Sequence, residues 1–152
     1  MNRIWIYQSK RTFSEKEHNE ISTALDTFVK RWAAHSKKLD ARFEILHNHF
    51  IALTVNQEEI MASGCSIDDS VRFMQDLDKT YNLSLFDRQL MAYIDEDENI
   101  KVCGLNEIAG LHKSGKIQGY TYIFNNLIQD ANEMALSWKI PFKDSGYFAM
   151  IN

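Results

Sequence analysis

Two helical stripes enclosing a pair of extended segments set the frame into which this chain can fold. Ser14-Glu15-Lys16-Glu17 is a capping box, in which serine and glutamate satisfy each other's orphaned N–H groups, and Ile21, Leu25, Phe28 and Trp32 follow at helical spacing toward His35. Ile67, Val71, Met74, Leu77 and Tyr81 form the second stripe, with Asn82 placed to stop it in a left-handed turn. Between the stripes, residues 41–45 alternate apolar and charged, residues 50–55 are more uniformly apolar, and the polar pair His47-Asn48 separates them. This predicts a hairpin with one more exposed and one more buried strand.

At the start of the chain Ile4 and Ile6 alternate with Trp5 and Tyr7, which predicts a strand covered on both faces and central in its sheet. Residues 86–94 and 100–103 flank the acidic turn Asp95-Glu96-Asp97-Glu98-Asn99 and predict another hairpin. The resulting order, β-α-β-β-α-β-β, contains that of a ferredoxin-like split βαβ unit with one strand added. The expectation is therefore an α+β protein, with a ferredoxin-like βαββαβ core and an extra strand over residues 1–104. A helical extension over 105–152 would pack on that core. It would comprise a short segment over 106–113 and a long helix carrying Phe124, Leu127, Ile128, Ala131, Ala135 and Trp138 on one stripe, ended by Pro141. Gly104, Gly110, Gly115 and Gly119 fall between these parts and mark the expected flexible connection. With 152 residues and 45% hydrophobic composition, a single domain with a real core is the default.

A net charge of -4 and a pI near 5.7 oppose broad nucleic-acid or anionic-membrane binding, because both need a basic field. The one basic cluster, Lys30, Arg31, Lys37 and Lys38, surrounds the predicted end of the first helix, where cations complement the macrodipole. No apolar run suits a signal peptide or a membrane span, so a cytoplasmic protein without membrane insertion is expected. Cys65 and Cys103 lie far apart with no C-x-x-C pattern, so both should be free thiols, outside any disulfide framework or zinc knuckle.

The stretch Ser63-Gly64-Cys65-Ser66-Ile67-Asp68-Asp69-Ser70 carries the best candidate chemistry. It joins an apolar extended segment to the second helix and sets a thiol where the N–H groups of a helix N-terminus converge, a position that lowers a cysteine pKa and favours anions. Ser63, Gly64, Ser66 and Asp68 would bind a ligand there. Cys65 would be the nucleophile of a thiol enzyme if His35 or His49 served as its base. The plainer alternative is an S-x-x-D helix start that only satisfies its own N–H groups, with a small thiol packed under the turn.

Other patterns resemble sites without completing them. Gly110-Leu111-His112-Lys113-Ser114-Gly115-Lys116 has phosphate-loop spacing, but Ile117 stands where Ser or Thr should hold magnesium, and the preceding residues look like a helix ending near Lys113. Asp95, Asp97 and Asn99 imitate three calcium ligands, yet Ile100 and Asn106 replace the glycine and glutamate of that loop. His47 and His49 could share a face and chelate a metal with His35 or Cys65, but two histidines in a turn are a weak signal. No metal and no cofactor are expected. Trp32 and Trp138 close helical stripes and read as core, as does Cys103. Tyr120, Tyr122, Tyr147 and Phe148 could form a surface for a protein partner or a second copy of the chain.

The opening Arg3-Ile4-Trp5-Ile6-Tyr7, the spacing of Phe28, Trp32 and His35, and above all Ser63-Gly64-Cys65-Ser66-Ile67-Asp68 resemble a family of small bacterial proteins of about this length. Some members are labelled "ABC transporter ATPase", and no biochemical activity is firmly attached to the family. The residues here include no transporter signature and no complete phosphate loop, so ATP hydrolysis is not expected. The leading functional expectation is a non-catalytic ligand-binding or assembly module with a polar, anion-binding turn at Ser63 to Ser66. The alternative is a thiol-dependent enzyme or redox protein using Cys65.

Overall fold

Helix α1 (Glu15–Arg31) begins at the predicted capping box. In the computed structural model, which describes residues 1–152, Glu17 N–H donates to Ser14 Oγ at 3.1 Å and Ser14 N–H donates to Glu17 Oε1 at 2.9 Å. The chain is α+β, with antiparallel sheets, and forms two compact units: residues 1–86 with 127–132, and residues 87–126 with 133–152.

In the first unit, β1 (Asn2–Gln8), β4 (Asp40–Leu46) and β5 (Phe50–Asn56) make a three-stranded sheet in the order β1-β5-β4, both pairings antiparallel. This order does not bear out the ferredoxin-like expectation, in which the first strand lies parallel to another at the sheet centre. Here the centre belongs to β5, whose Phe50, Ile51, Leu53 and Val55 are fully buried, and β1 is an outer strand rather than a central one. Composition explains the exchange: β5 is apolar on both faces, as a central strand must be, whereas β1 opens on Asn2 and Arg3. The outer edge of β1 is closed by the returning segment 127–132, where Ile4 N–H donates to the Gln129 carbonyl at 2.9 Å and Arg3 bridges Asp130.

One face of this sheet carries the core. Trp5, Tyr7, Phe43, Ile45, Ile51 and Leu53 meet α1 and helix α2 (Gly64–Tyr81) through Ile21, Leu25, Phe28, Trp32, Met74 and Leu77. Trp32 stands edge-on to Trp5, with centroids 5.7 Å apart, and Phe28 packs on Phe73 at 4.5 Å. The helices run antiparallel: Arg31 at the end of α1 meets Asp69 near the start of α2, and Tyr81 at the end of α2 donates its hydroxyl to Glu20. Asn82 stops α2 at φ 53°, as its residue type predicts.

Helix α1 stops at Arg31, short of the expected His35, because Trp32 turns extended and the chain enters a tight hairpin. Strands β2 (Ala33–Ala34) and β3 (Lys37–Lys38) pair across His35 and Ser36, both with positive φ, 51° and 65°. Two consecutive left-handed residues make the turn geometry that matches strand twist in a two-residue hairpin.

The second unit holds a four-stranded antiparallel sheet in the order β7-β6-β8-β9, from β6 (Leu90–Ile94), β7 (Ile100–Gly104), β8 (Tyr122–Phe124) and β9 (Lys139–Pro141). The β6–β7 hairpin was expected, although residues 86–89 lie outside it. Short helices α3 (Ile108–Lys113) and α4 (Gly146–Ile151) accompany this sheet, and Met91, Cys103, Ile108, Ile117, Ile123 and Phe142 form its core.

The single long helix expected over 124–138 is not formed: Phe124 ends a strand, and only a 3-10 turn (Ala131–Glu133) and a π-helical turn (Met134–Trp138) are helical. Phe124 and Trp138, fourteen positions apart, stack at 4.8 Å because they lie at the facing ends of the β8–β9 pair, with Asn125 N–H donating to the Trp138 carbonyl at 2.7 Å. Their helical spacing was a coincidence of a strand residue, Phe124, meeting the last residue before β9, Trp138. The polar pair Asn125-Asn126 separates Phe124 from the rest of the stripe, Asn126 accepts from Trp138 Nε1 at 2.8 Å, and Leu127 is 78% exposed. Pro141 sits in the outer strand β9, a place that tolerates its missing N–H.

Candidate functional site

The Ser63 turn opens α2 as the sequence predicts, and its serines act first on their own helix. Ser66 N–H donates to Ser63 Oγ at 3.2 Å, Ser63 N–H donates to Ser66 Oγ at 2.7 Å, and the Ser66 hydroxyl donates to the Ser63 carbonyl at 2.8 Å. Ser66 is buried, and its carbonyl accepts from Trp32 Nε1 at 2.7 Å, a buried bond that ties the start of α2 to the end of α1. The Ser66 hydroxyl is thus spent on holding the turn, while Ser63 Oγ serves in it as an acceptor, so the donors the turn can offer an anion are the Ser63 O–H and backbone N–H groups. Gly64 and Cys65, the first two helical residues, precede the first intrahelical bond, from Ile67 N–H to the Ser63 carbonyl.

Cys65 is exposed, so the expectation of a thiol packed beneath the turn is corrected. At the second helical position its side chain projects from the helix end, while Ser66 takes the inward-facing place. Asp68 is also exposed and holds no cap; the neighbouring Asp69 makes the ion pair, 3.2 Å from Arg31 Nη1.

Beside the turn lies an open depression of about 370 Å³ lined by Ala34, His35 and Lys37 from the β2–β3 hairpin and by Glu59, Ile60, Met61, Ala62 and Ser63 from the loop leading into α2. The structure therefore brings His35 and Ser63 together and adds Lys37, which the sequence marked only as part of a basic cluster. Glu59 contributes one opposing charge.

His49 is elsewhere. It lies in the β4–β5 turn, at the end of β5 remote from the start of α2, about 20 Å away by the rise of a seven-residue strand. Its neighbours belong to the connection between β1 and α1: Thr12 Oγ1 lies 3.4 Å from Nδ1, and Ser9 N–H donates to the His49 carbonyl at 2.9 Å. His49 therefore does not share a site with Cys65. The ring is buried, its Nε2 has no hydrogen-bond partner, and desolvation holds its pKa down at about 4, with nearby His47 adding to the effect and the Ser9 backbone partly offsetting it. His47 and Asn48 take positive φ in the turn, and Asn48 Oδ1 meets His18 Nδ1 at 2.6 Å.

The remaining motifs find structural roles. Gly110 to Lys116 closes α3: Gly115 adopts φ +84°, and Lys116 N–H donates to the Leu111 carbonyl at 3.0 Å, which is a helix C-terminus rather than a phosphate loop. Asp95 Oδ1 accepts from the N–H groups of Asp97 and Asn99, each at 2.9 Å, and so builds the hairpin tip. Cys103 is buried, and desolvation pushes its thiol up to about 11. Among the aromatic candidates, Tyr120 and Tyr122 are exposed, whereas Tyr147 and Phe148 pack on the core of the second unit.

No group of three or more His, Cys, Asp or Glu side chains is arranged to hold a metal ion, and no helix is long and apolar enough to cross a membrane. Comparison of the chain with protein-family models, with curated proteins and with solved structures finds no match.

Proposed function

We propose that the protein is a non-catalytic binding module that receives a small anionic group, a carboxylate or phosphate, in the depression between the β2–β3 hairpin and the loop entering α2. The observation that carries this reading is the convergence on one open depression of the cationic Lys37, the imidazole of His35 and the start of α2 at Ser63. An anion seated there meets the ammonium of Lys37, the imidazole of His35 and the positive end of an eighteen-residue helix, against the single carboxylate of Glu59. The internal bonding of Ser63 and Ser66 supports this assignment by making the helix start rigid, so that its backbone donors need no reorganisation on binding.

Thermal unfolding with rising inorganic phosphate tests the reading. A ligand that binds only the folded chain raises Tm with concentration, and Lys37→Glu, an exposed substitution, should remove most of that rise. An equal rise in both proteins places the anion elsewhere and overturns the proposal.

A second reading, in which Cys65 is a nucleophile, is favoured by the exposure of its sulfur at the second position of α2. Of the two histidines considered as its base, only His35 belongs to the same end of the molecule. Alkylation of Cys65 across pH separates the readings: a rate that saturates well below the ordinary thiol range supports the nucleophile, and one that follows an ordinary thiol supports the binding module.

A further inference from the structure

The free edge of β4 combines a backbone pattern with a charge pattern that together select one partner. In an antiparallel sheet a residue directs its N–H and C=O to the same side, and successive residues alternate. Ile4 donates away from β5, to Gln129, while Ser9 donates toward it, to His49. Thr54, opposite Ile4, therefore points its backbone at β4, and Arg42, opposite Thr54, points back. The same alternation aims the backbone groups of Ala41, Phe43 and Ile45 outward. Leu39, on the same phase, confirms the direction, since its N–H reaches the Trp32 carbonyl on that outer side at 2.9 Å. Beyond Leu39 no strand covers the edge.

We propose that β4 pairs with the β4 of a second copy of this chain, antiparallel about a twofold axis at Phe43, to give a continuous six-stranded sheet. This register places Ala41 opposite Ile45 of the partner subunit, Phe43 opposite Phe43 of the partner subunit, and Ile45 opposite Ala41 of the partner subunit. All three outward-facing residues then exchange hydrogen bonds. On the other face Arg42 stands opposite Glu44 of the partner subunit, twice by symmetry, in the closer, non-hydrogen-bonded positions where unlike charges attract most. Both Arg42 and Glu44 are exposed.

Neighbouring registers fail on charge and on bonding. Centring on Arg42 sets Arg42 against its own copy and Asp40 against Glu44, and leaves Ile45 unpaired. Centring on Glu44 sets two glutamates face to face and leaves Ala41 unpaired. On the core side, the Phe43 register matches a small residue with a large one. Ala41, Phe43 and Val29 of α1 supply the apolar part of an open depression of about 320 Å³, lined also by the charged Asp26, Lys30, Lys38 and Arg42, into which Ile45 of the partner subunit projects. Edge pairing over so short a strand makes a weak, reversible dimer at the small end of specific interfaces.

Sedimentation equilibrium from micromolar to millimolar concentration, paired with amide hydrogen exchange, tests the assignment. The wild-type chain should dimerise, with concentration-dependent protection at Ala41, Phe43 and Ile45. Glu44→Arg faces Arg42 with another cation and should weaken association roughly tenfold or more; Arg42→Glu should do the same, and the double exchange R42E/E44R should restore it. Both side chains are exposed at the sheet edge, so folding is not at stake. A chain that stays monomeric throughout, a dimer indifferent to Glu44→Arg, or single-variant losses that the double exchange does not restore would each overturn the proposal.

Discussion

Lowering the pH should destabilise the first unit through His49, by an amount the structure sets. The ring is 2% exposed, its Nε2 has no partner, and its pKa lies at about 4 against 6.5 for an ordinary histidine. A depressed histidine stays neutral in the fold while the unfolded chain takes up a proton, so its contribution is intact above pH 6.5 and is lost progressively as pH falls toward 4. Linkage puts the loss between about pH 7.5 and about pH 5 at roughly 2 kcal/mol. His49→Leu removes the titration and keeps an apolar side chain beside Phe50, whose ring centroid lies 5.6 Å away. Urea unfolding of both proteins at the two pH values isolates the effect, because the carboxylates titrate alike in each. Wild type should lose about 2 kcal/mol more than His49→Leu over this range. Equal losses would refute the reasoning, since a histidine that costs nothing to protonate cannot be buried with its Nε2 unpartnered.

Two further substitutions probe the two ends of α1. Trp32→Phe deletes the donor to the Ser66 carbonyl and part of the largest fully buried side chain, and should cost about 2 kcal/mol in denaturant unfolding. Glu17 is held at a pKa of about 2, first by its hydrogen bonds with Arg11, at 2.7 Å to each oxygen, and then by Ser14 N–H. Its contribution is complete above the ordinary carboxylate range and is lost as pH falls toward 2. Because the Arg11 side chain is 40% exposed, Glu17→Gln should cost only about 1 kcal/mol at neutral pH, a deficit that acid unfolding should show shrinking below about pH 4.

Legibility in the sequence followed how local each cause was. Ser14 and Glu17, Asn82, the His47-Asn48 turn and the Ser63 helix start act within a few residues, and the structure shows each in place. Strand order was not local. The apolarity of β5 marks it as central, but nothing near β1 says that residues 127–132 will return to cover its edge. The helical stripe from Phe124 to Trp138 failed as one helix for the same reason: a strand residue and the end of a separate helical turn meet in space and copy a helix period. At the candidate site, the helix start and the exposed place of His35 relate to local signals, whereas Lys37 and Glu59 enter only through the meeting of a hairpin and a loop. The separation of His49 from Cys65 follows from β5 spanning the distance between them, which residue type alone does not reveal.

The proposed anion site is tested most directly by amide chemical shifts of the folded protein during titration with inorganic phosphate. Saturable movement of the Gly64 and Cys65 amides together with the His35 ring, and a quiet His49 turn at the other end of β5, is the predicted result. If those amides stay still while phosphate reaches millimolar concentration, or if the shifts gather elsewhere, the depression beside Ser63 is not a binding site.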